Sequence, residues 1–278
     1  MESISCVVTT HNRPESVCSA VESVFNQTTE PSEVIVICDN PTQDTVSSVR
    51  DLSDQYANLD FYIVEKGSPM GARNEGIKRA TSQYLAFLDD DDRWLPNKLQ
   101  HQLTYADEFS LVSCPAILVR QSSETPQQTG TSEILTMDYE DVFRSIRFLY
   151  PSGILLKTSQ VKLIGGFNED VPEWDFFLRI TEKFGEACVV SEPLVKFNRQ
   201  NLDRMSNNEE DFMGLFDVYD RYKHTVGKED KAYRLSSLCL NASLKTNGPT
   251  SLFYLFRSIL AHPSTAVSSI KRYISRLL

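Results

Sequence analysis

The chain has no CxxC pair, no apolar run long enough to cross a bilayer and, over residues 231–278, no Asp or Glu. Each absence narrows the reading. Six cysteines without paired spacing give no thiol metal or redox motif. Cys6, Cys38 and Cys188 lie inside apolar stretches and read as buried thiols of a reducing compartment. A spanning helix needs about 18–20 apolar residues, and none are found in sequence. The first residues lack a basic segment followed by an apolar core, so no signal peptide and a cytoplasmic location are expected. The net charge of −10 argues against a nucleic-acid binder. It is unevenly spread: residues 231–278 carry seven Lys or Arg, leaving residues 1–230 at −17. The histidines His11, His101, His224 and His262 show no metal-ligand spacing, and a structural role is expected for each.

What remains is an alternation. ISCVVTT (4–10), EVIVICD (33–39), FYIVEK (61–66) and YLAFLD (84–89) are short apolar runs of the buried-strand type. Helical spacing appears at 16–27 and 74–81. Strands alternating with helices imply α/β architecture, a mostly parallel sheet covered on both faces. Ligands of such sheets bind beyond the carboxyl ends of the strands. There the polar residues gather: Thr9 to Arg13, Asp39 and Asn40, and the aspartates 89–92. Further on, 111–119 and 187–197 are strand-like, the latter broken by Pro193. Residues 121–133 read as a polar loop, 137–146 and 174–184 as helices, 152–157 as a strand, and nearly everything beyond 207 as helix.

The aspartates pose the first chemical question. Two like charges ~4 Å apart cost ~1 kcal/mol in water and ~4 kcal/mol at an effective dielectric of 20. Four in a row need open solvent or a cation. Alternation along an extended chain puts Asp89 and Asp91 on one face and Asp90 on the other. Two carboxylates there suit Mg²⁺ or Mn²⁺ shared with phosphate oxygens. A solvated acidic turn before a helix is the plainer alternative. A helix–loop–helix calcium site fails, because its Gly and Glu positions hold Trp94 and Gln100.

FLDDDDRWLPNKL resembles the DxD region of the inverting nucleotide-sugar glycosyltransferases called family 2, which have the GT-A fold. VVTTHNRPESVCSAVESVFNQT is similar to their opening strand, turn and helix, VIVICDN to their second strand, GARNEGI (71–77) to their donor-side helix, and IGGFNEDVPEWDFFLR (164–179) to their acceptor-side segment. The order holds over residues 3–206. The resemblance implies a GT-A catalytic domain at 1–206 and a basic helical region at 207–278. Thr9 and Asp39 match positions that hold the nucleotide base, with a uracil-like edge suited to a carboxylate. Arg73 matches a basic residue near the donor phosphate. Asp91 matches the metal ligand, with Asp89 beside it, and Asp89 and Asp90 match residues near the ribose and donor sugar. Asn12 and Arg13 belong to the same donor rim; Arg13 is either a ligand contact or a partner for the acids. Glu173 matches the general base, which must reach the acceptor hydroxyl; a helix-terminal carboxylate favoured by the dipole is the alternative. Asp175 follows with a supporting or acceptor-binding role.

Three departures stand out. Cys38 replaces the first of two acids ending the second strand. Pro172-Glu173 replaces Glu-Asp. The stretch 197–206 has no His, so Gln200, Arg199 or Arg204 is expected to meet the pyrophosphate in its place. The implied activity is transfer of a sugar from a nucleotide-diphosphate donor, most simply a UDP-sugar, to a glycan or lipid-linked hydroxyl in surface polysaccharide or glycoconjugate synthesis. A sugar-1-phosphate nucleotidyltransferase would want a Gly-rich loop where HNRPES stands. A non-catalytic nucleotide-sugar-binding protein of the same fold is the alternative from another class. In the tail, 252–260 is apolar, and 266–278 puts Val267, Ile270, Tyr273, Ile274 and Leu277 on one face. Residues 250–278 suit either peripheral contact with an anionic membrane, on its inner face, or a helical subdomain packed on the core.

Overall fold

The computed structural model describes residues 2–120, 123–131, 133–198, 209–245 and 248–267. Its first half alternates β1 (Ile4–Thr10), α1 (Pro14–Phe25), β2 (Glu33–Asp39), α2 (Gln43–Gln55), β3 (Leu59–Val64), α3 (Pro69–Arg79) and β4 (Tyr84–Asp89). Then come β5 (Arg93–Trp94), α4 (Lys98–Leu103), β6 (Leu111–Ser113), β7 (Ala116–Arg120), β8 (Ser123–Pro126), β9 (Ile134–Met137) and α5 (Tyr139–Arg144). The chain continues through β10 (Leu155–Lys157), α6 (Thr158–Leu163), α7 (Trp174–Phe184), β11 (Ala187–Val190) and β12 (Val195–Asn198). Three helices follow: α8 (Glu209–Tyr222), α9 (Lys228–Lys245) and α10 (Gly248–Ala261).

Eight strands form the main sheet in the order β3-β2-β1-β4-β10-β6-β11-β9. β3, β2, β1 and β4 are parallel, so their carboxyl ends share one rim. Alternation along each strand sorts the apolar side chains into two cores. Val7, Ile35, Ile37, Leu85 and Phe87 face one side, with α3, α5 and α7. Cys6, Val8, Val34, Val36, Ala86 and Leu88 face the other, with α1 and α2. A continuous apolar run is what a strand covered on both faces requires. Gly76 lets α3 lie directly on β1: a Cβ there would meet Val7 Cγ1 at 2.3 Å. All six cysteines are free, and all but Cys18 are buried.

The runs at 111–119 and 187–197 are each two strands. β6 and β11 pair in the main sheet, then both chains leave it together, and β7 and β12 pair in a second sheet of order β5-β12-β7-β8. Prolines mark both departures, joined where Leu194 N donates to Pro115 O at 3.1 Å. Proline cannot donate to a ladder, so it stands where pairing is interrupted. The polar segment 121–133 is not wholly loop, since β8 pairs with β7. The helix expected at 74–81 starts earlier, with Pro69 in its first turn and Ser68 Oγ accepting from Gly71 N at 3.0 Å.

The C-terminal helices share the first core, through Val218, Tyr219, Val226 and Leu238. Among the described residues no helix is long and apolar enough to cross a membrane.

Candidate active site

The rim is built from the ends of β1, β2 and β4. Thr9 pairs in register with Asp89, and Thr10 with Cys38. Thr9 Oγ1 donates to Asp89 Oδ1 at 3.2 Å. Arg73, projecting from α3, reaches both Asp89 oxygens with Nη2, at 2.6 and 2.8 Å. Thr10 Oγ1 donates to Asp90 Oδ2 at 2.7 Å. Arg13 Nη1 lies 2.8 Å from Asp90 Oδ1 and 3.3 Å from Asp91 Oδ2.

That contact corrects the strand-alternation expectation for the aspartates. β4 ends at Asp89, and Asp92 N donates to Asp89 O at 3.0 Å, closing a turn. Asp90 and Asp91 therefore meet one guanidinium nitrogen instead of facing apart. Asp92 points inward, where its Oδ1 accepts from Asn198 N at 3.2 Å. Burial, with Asp89 and Asp91 adding repulsion, pushes its carboxyl well above the usual range. Asp90 is pushed up by burial too, against the pull of Arg13.

Asp39 is buried at the end of β2. Its Oδ1 accepts from Lys66 N at 2.7 Å, Gly67 N at 3.1 Å and Asn40 Nδ2 at 3.2 Å. It thus pins the loop after β3. Asn12 Oδ1 accepts from Thr42 N at 2.7 Å, tying the first turn to the start of α2. His11 contacts the Asp39 carbonyl through Nδ1 at 2.5 Å, a packing role at the same rim.

The segment before α7 docks on the helix that carries Arg73. Asn74 Oδ1 accepts from Phe167 N at 2.8 Å, and its Nδ2 donates to Phe167 O at 2.9 Å. The Phe167 ring stacks on Phe176 of α7 at 4.0 Å and meets Phe87 of β4 edge-on at 5.4 Å. Neighbouring residues of α3 thus hold the acidic rim and the chain leading to Glu173.

Glu173 immediately precedes α7, half-buried, and makes no capping bond to the helix. Its neighbours are anchored. Trp174 Nε1 donates to Val142 O at 3.0 Å, and the Arg234 guanidinium lies 3.9 Å from its ring. Asp175 is buried and accepts from Arg179 Nε at 2.7 Å, Tyr222 OH at 2.8 Å and Arg221 Nη1 at 3.2 Å. A Cβ on Gly214 would lie 2.8 Å from Pro172 Cδ, so glycine lets α8 close over the turn before Glu173. A polar cavity of about 300 Å³ lies beside this clasp, lined by Gly166, Asn168, Asp175, Arg179, Arg221 and Tyr222.

Sequence reasoning placed Thr10 on the rim without giving it a role, and passed over Ser152, Arg221 and Tyr222. Ser152 Oγ accepts from Asp89 N at 3.1 Å, and its carbonyl accepts from Trp94 Nε1 at 2.8 Å. Thr10 stood beside a recognised position and could have been found there. The other three carry no local signal. Arg199, Gln200 and Arg204 lie outside the described residues.

The family profile described as glycosyl transferase family 2 matches residues 5–159. The chain belongs to this family. An uncharacterized glycosyltransferase of Bacillus subtilis, YwdF, is 28% identical over 187 residues, covering 65% of this chain and 69% of that protein. A GalNAc(5)-diNAcBac-PP-undecaprenol β-1,3-glucosyltransferase of Campylobacter jejuni is 33% identical over 110 residues, 39% of this chain and 36% of that protein. The crystal structure of S. aureus TarS 1-349 with UDP-GlcNAc superposes with a TM-score of 0.72 at 19% identity, covering 95% of this chain and 82% of that one. The fold of this family 2 glycosyltransferase is thus GT-A, and the rim occupies the place where such sheets bind ligands. Glu173 and the C-terminal helices lie beyond the matched residues.

GT-A glycosyltransferases commonly use a divalent ion, and the donor set here is tested readily. Among the described residues no three His, Cys, Asp or Glu form a metal-holding group. Mg²⁺ and Mn²⁺ take hard oxygens and are often held by one or two carboxylates plus substrate phosphates. Asp91, met by Arg13 at the longer 3.3 Å, fits that mode. Asp89 would have to loosen Arg73 to join it.

Proposed function

We propose that this glycosyltransferase moves a sugar from a UDP-sugar to a hydroxyl of a glycan or lipid-linked acceptor, with inversion at the anomeric carbon. One observation carries the reading: α3 holds the carboxylate rim through Arg73 and the segment leading to Glu173 through Asn74. In this reading Asp39 uses its second oxygen, Oδ2, to accept from the base N–H, and Thr9 and Asn12 frame the base pocket. Arg73 and Arg13 orient the donor while exchanging part of their hold on Asp89 and Asp90. Asp91, with Asp89 near it, would hold Mg²⁺ or Mn²⁺ against the diphosphate; when bound, the ion neutralises the departing charge.

Glu173 takes the acceptor hydroxyl proton as that oxygen attacks the anomeric carbon from the face opposite the nucleotide. Asp175 positions it by fixing the first turn of α7. Residues 1–206 carry the chemistry, and α8 and α9, within the region 207–278, buttress its acceptor side. The UDP-GlcNAc complex of TarS and the polyprenyl-diphosphate acceptor named for the Campylobacter relative support the choice of donor and acceptor class.

The test is thermal shift against a panel of nucleoside diphosphates, with and without Mn²⁺, on the wild type and Asp91→Asn. A ligand at 100 times its dissociation constant adds about 2.7 kcal/mol of stability. Metal-dependent stabilisation by UDP that Asp91→Asn loses is the expected result. No response to any nucleotide overturns the donor-site assignment.

A further inference from the structure

The outermost helix, α10, is built inside out. Serines hydrogen-bond it to α9. Ser258 Oγ donates to Ser236 O at 2.9 Å and lies 3.1 Å from Ser236 Oγ, and Ser251 Oγ donates to Ser243 O at 2.7 Å. The opposite face carries Leu252, Phe253, Phe256, Ile259 and Leu260, exposed by 68%, 57%, 64%, 38% and 67%. At ~100° per residue these five fall within an arc of about 120°. A surface helix ordinarily turns such a stripe toward the core and its polar residues to water. Here the order is reversed, and large apolar patches of this kind mark interaction sites.

Charge says what covers it. Arg257 borders the arc, its guanidinium 5.7 Å from the Phe253 ring. On its other side it lines a cavity of about 350 Å³ with Met213, Phe216, Tyr254, Lys223 and Asp220, where Lys223 pairs with Asp220 at 2.5 Å. From residue 231 onward the sequence has seven Lys or Arg and no acid, in a chain of net charge −10. A second copy seated on this face would bring two basic segments together, which like-charge repulsion opposes. An apolar arc bordered by Arg257, in a C-terminal sequence without acids, matches the boundary of an anionic bilayer, with rings in the acyl region and the guanidinium among the headgroups.

We propose that the outer face of α10 seats the enzyme on an anionic lipid surface. The proposal needs no nucleotide and stands apart from the donor-site reading. The experiment is co-sedimentation of the full chain with vesicles of phosphatidylglycerol and phosphatidylcholine, at low and high salt. A triple variant, Leu252→Ser with Phe256→Ser and Leu260→Ser, is run beside it. A separate Phe256→Trp variant reports insertion by a blue-shifted emission.

The expected result is binding at low salt that falls at least tenfold on pure phosphatidylcholine and at least tenfold in the triple variant, whose melting temperature is unchanged. Three results would each overturn it: no co-sedimentation at low salt; equal binding by the triple variant, which leaves only diffuse charge; or a dimer that the triple variant abolishes while vesicles leave the Phe256→Trp emission unmoved. Because nucleotide is absent throughout, failure here leaves the thermal-shift result standing, and the reverse holds as well.

Discussion

The acidic rim and the head of α7 handle charge in opposite ways. On the rim, Asp89 and Asp90 are held by Arg73 and Arg13 at 2.6–2.8 Å, and the same Arg13 reaches Asp91. At α7, Asp175 collects Arg179, Arg221 and Tyr222, while the carboxylate of Glu173 two residues earlier makes no hydrogen bond or ion pair among the described residues, only its backbone carbonyl accepting from Phe177 N. The difference fits the two tasks proposed for them. A donor site must hold fixed charges apart until a diphosphate arrives, so its carboxylates are best kept with cations. A base must have a free lone pair, and a strong ion pair would lower its basicity. The neighbour takes the donors, and the Glu173 carboxylate is left available for the role proposed for it.

The sharpest break of this comparison is Glu173→Gln. A proton acceptor of this kind contributes typically 10²–10⁴-fold. We expect kcat to fall about a thousandfold, with the UDP-induced thermal shift kept, since the amide is isosteric and no native bond is lost. Wild-type turnover would remove Glu173 from the mechanism. Asp175→Ala should instead lose stability, with activity falling only as far as the first turn of α7 loosens. Removing one partner of a buried ion pair costs about 3 kcal/mol, because Arg179 and Arg221 lose their shared acceptor. Urea unfolding should show that loss directly. If both variants lost only activity, the division between a free base and an anchored neighbour would be wrong.

A smaller effect is expected at the rim. Arg73→Ala removes both hydrogen bonds to Asp89. Hydrogen bonds to charged groups are worth about 1.5–3 kcal/mol, so nucleotide affinity should fall about ten- to a hundredfold. Arg73→Lys keeps the charge without the planar fork and should recover only part of it. Isothermal titration with UDP and Mn²⁺ measures both. Full affinity in Arg73→Ala would mean that Arg73 serves Asp89 alone.

The two regions were also unequally legible. β1, β2 and β4 announced themselves as continuous β-branched and apolar runs, and a strand's end is where an in-line side chain leaves the sheet. Thr9, Asp39 and Asp89 could therefore be placed on one rim from the sequence. What lies at that rim beyond the strands could not. The turn at Asp90 depends on a backbone bond from Asp92 to Asp89, and Arg13 meets two acids because of it. The acceptor side depends on contacts distant in sequence. Tyr222 reaches Asp175 across 47 positions, and Phe167 meets Asn74 across 93. No local pattern encodes either. The splitting of 111–119 and 187–197 was only partly visible: Pro193 reads as an interruption, but 111–119 reads as one strand through Pro115, and the alignment of the two breaks was not legible. The inverted face of α10 was legible only as an apolar stretch, because sequence does not say which side a neighbour takes.

The smallest effect tests the comparison from beneath the rim. If Glu173 can stay unpaired because it is half exposed, a fully buried charge without a counter-ion should instead give up its proton. Lys98 is that case. It is completely buried, with Nζ donating to Gln102 Oε1 at 2.7 Å and lying 4.1 Å from the Trp94 ring. Burial pulls its ammonium down to about 8. In the unfolded chain the same group titrates near ~10.4. Between those values the unfolded state holds a proton that the native state has released, so stability rises as pH rises through that window. Below pH 8 the native chain carries a buried cation and the contribution is unfavourable. Lys98→Met should remove that pH slope and stabilise the protein at pH 7 by about 1 kcal/mol. The gain is kept small because Gln102 Oε1 loses its donor, while Gln102 Nε2 keeps its bonds to Val112 O and Gly153 O at 2.9 and 2.7 Å. Melting temperatures of the wild type and Lys98→Met at intervals from pH 7 to pH 10.5 decide it. Parallel curves would mean that Lys98 binds its proton alike in the folded and unfolded chain, and that burial at this site costs the ammonium nothing.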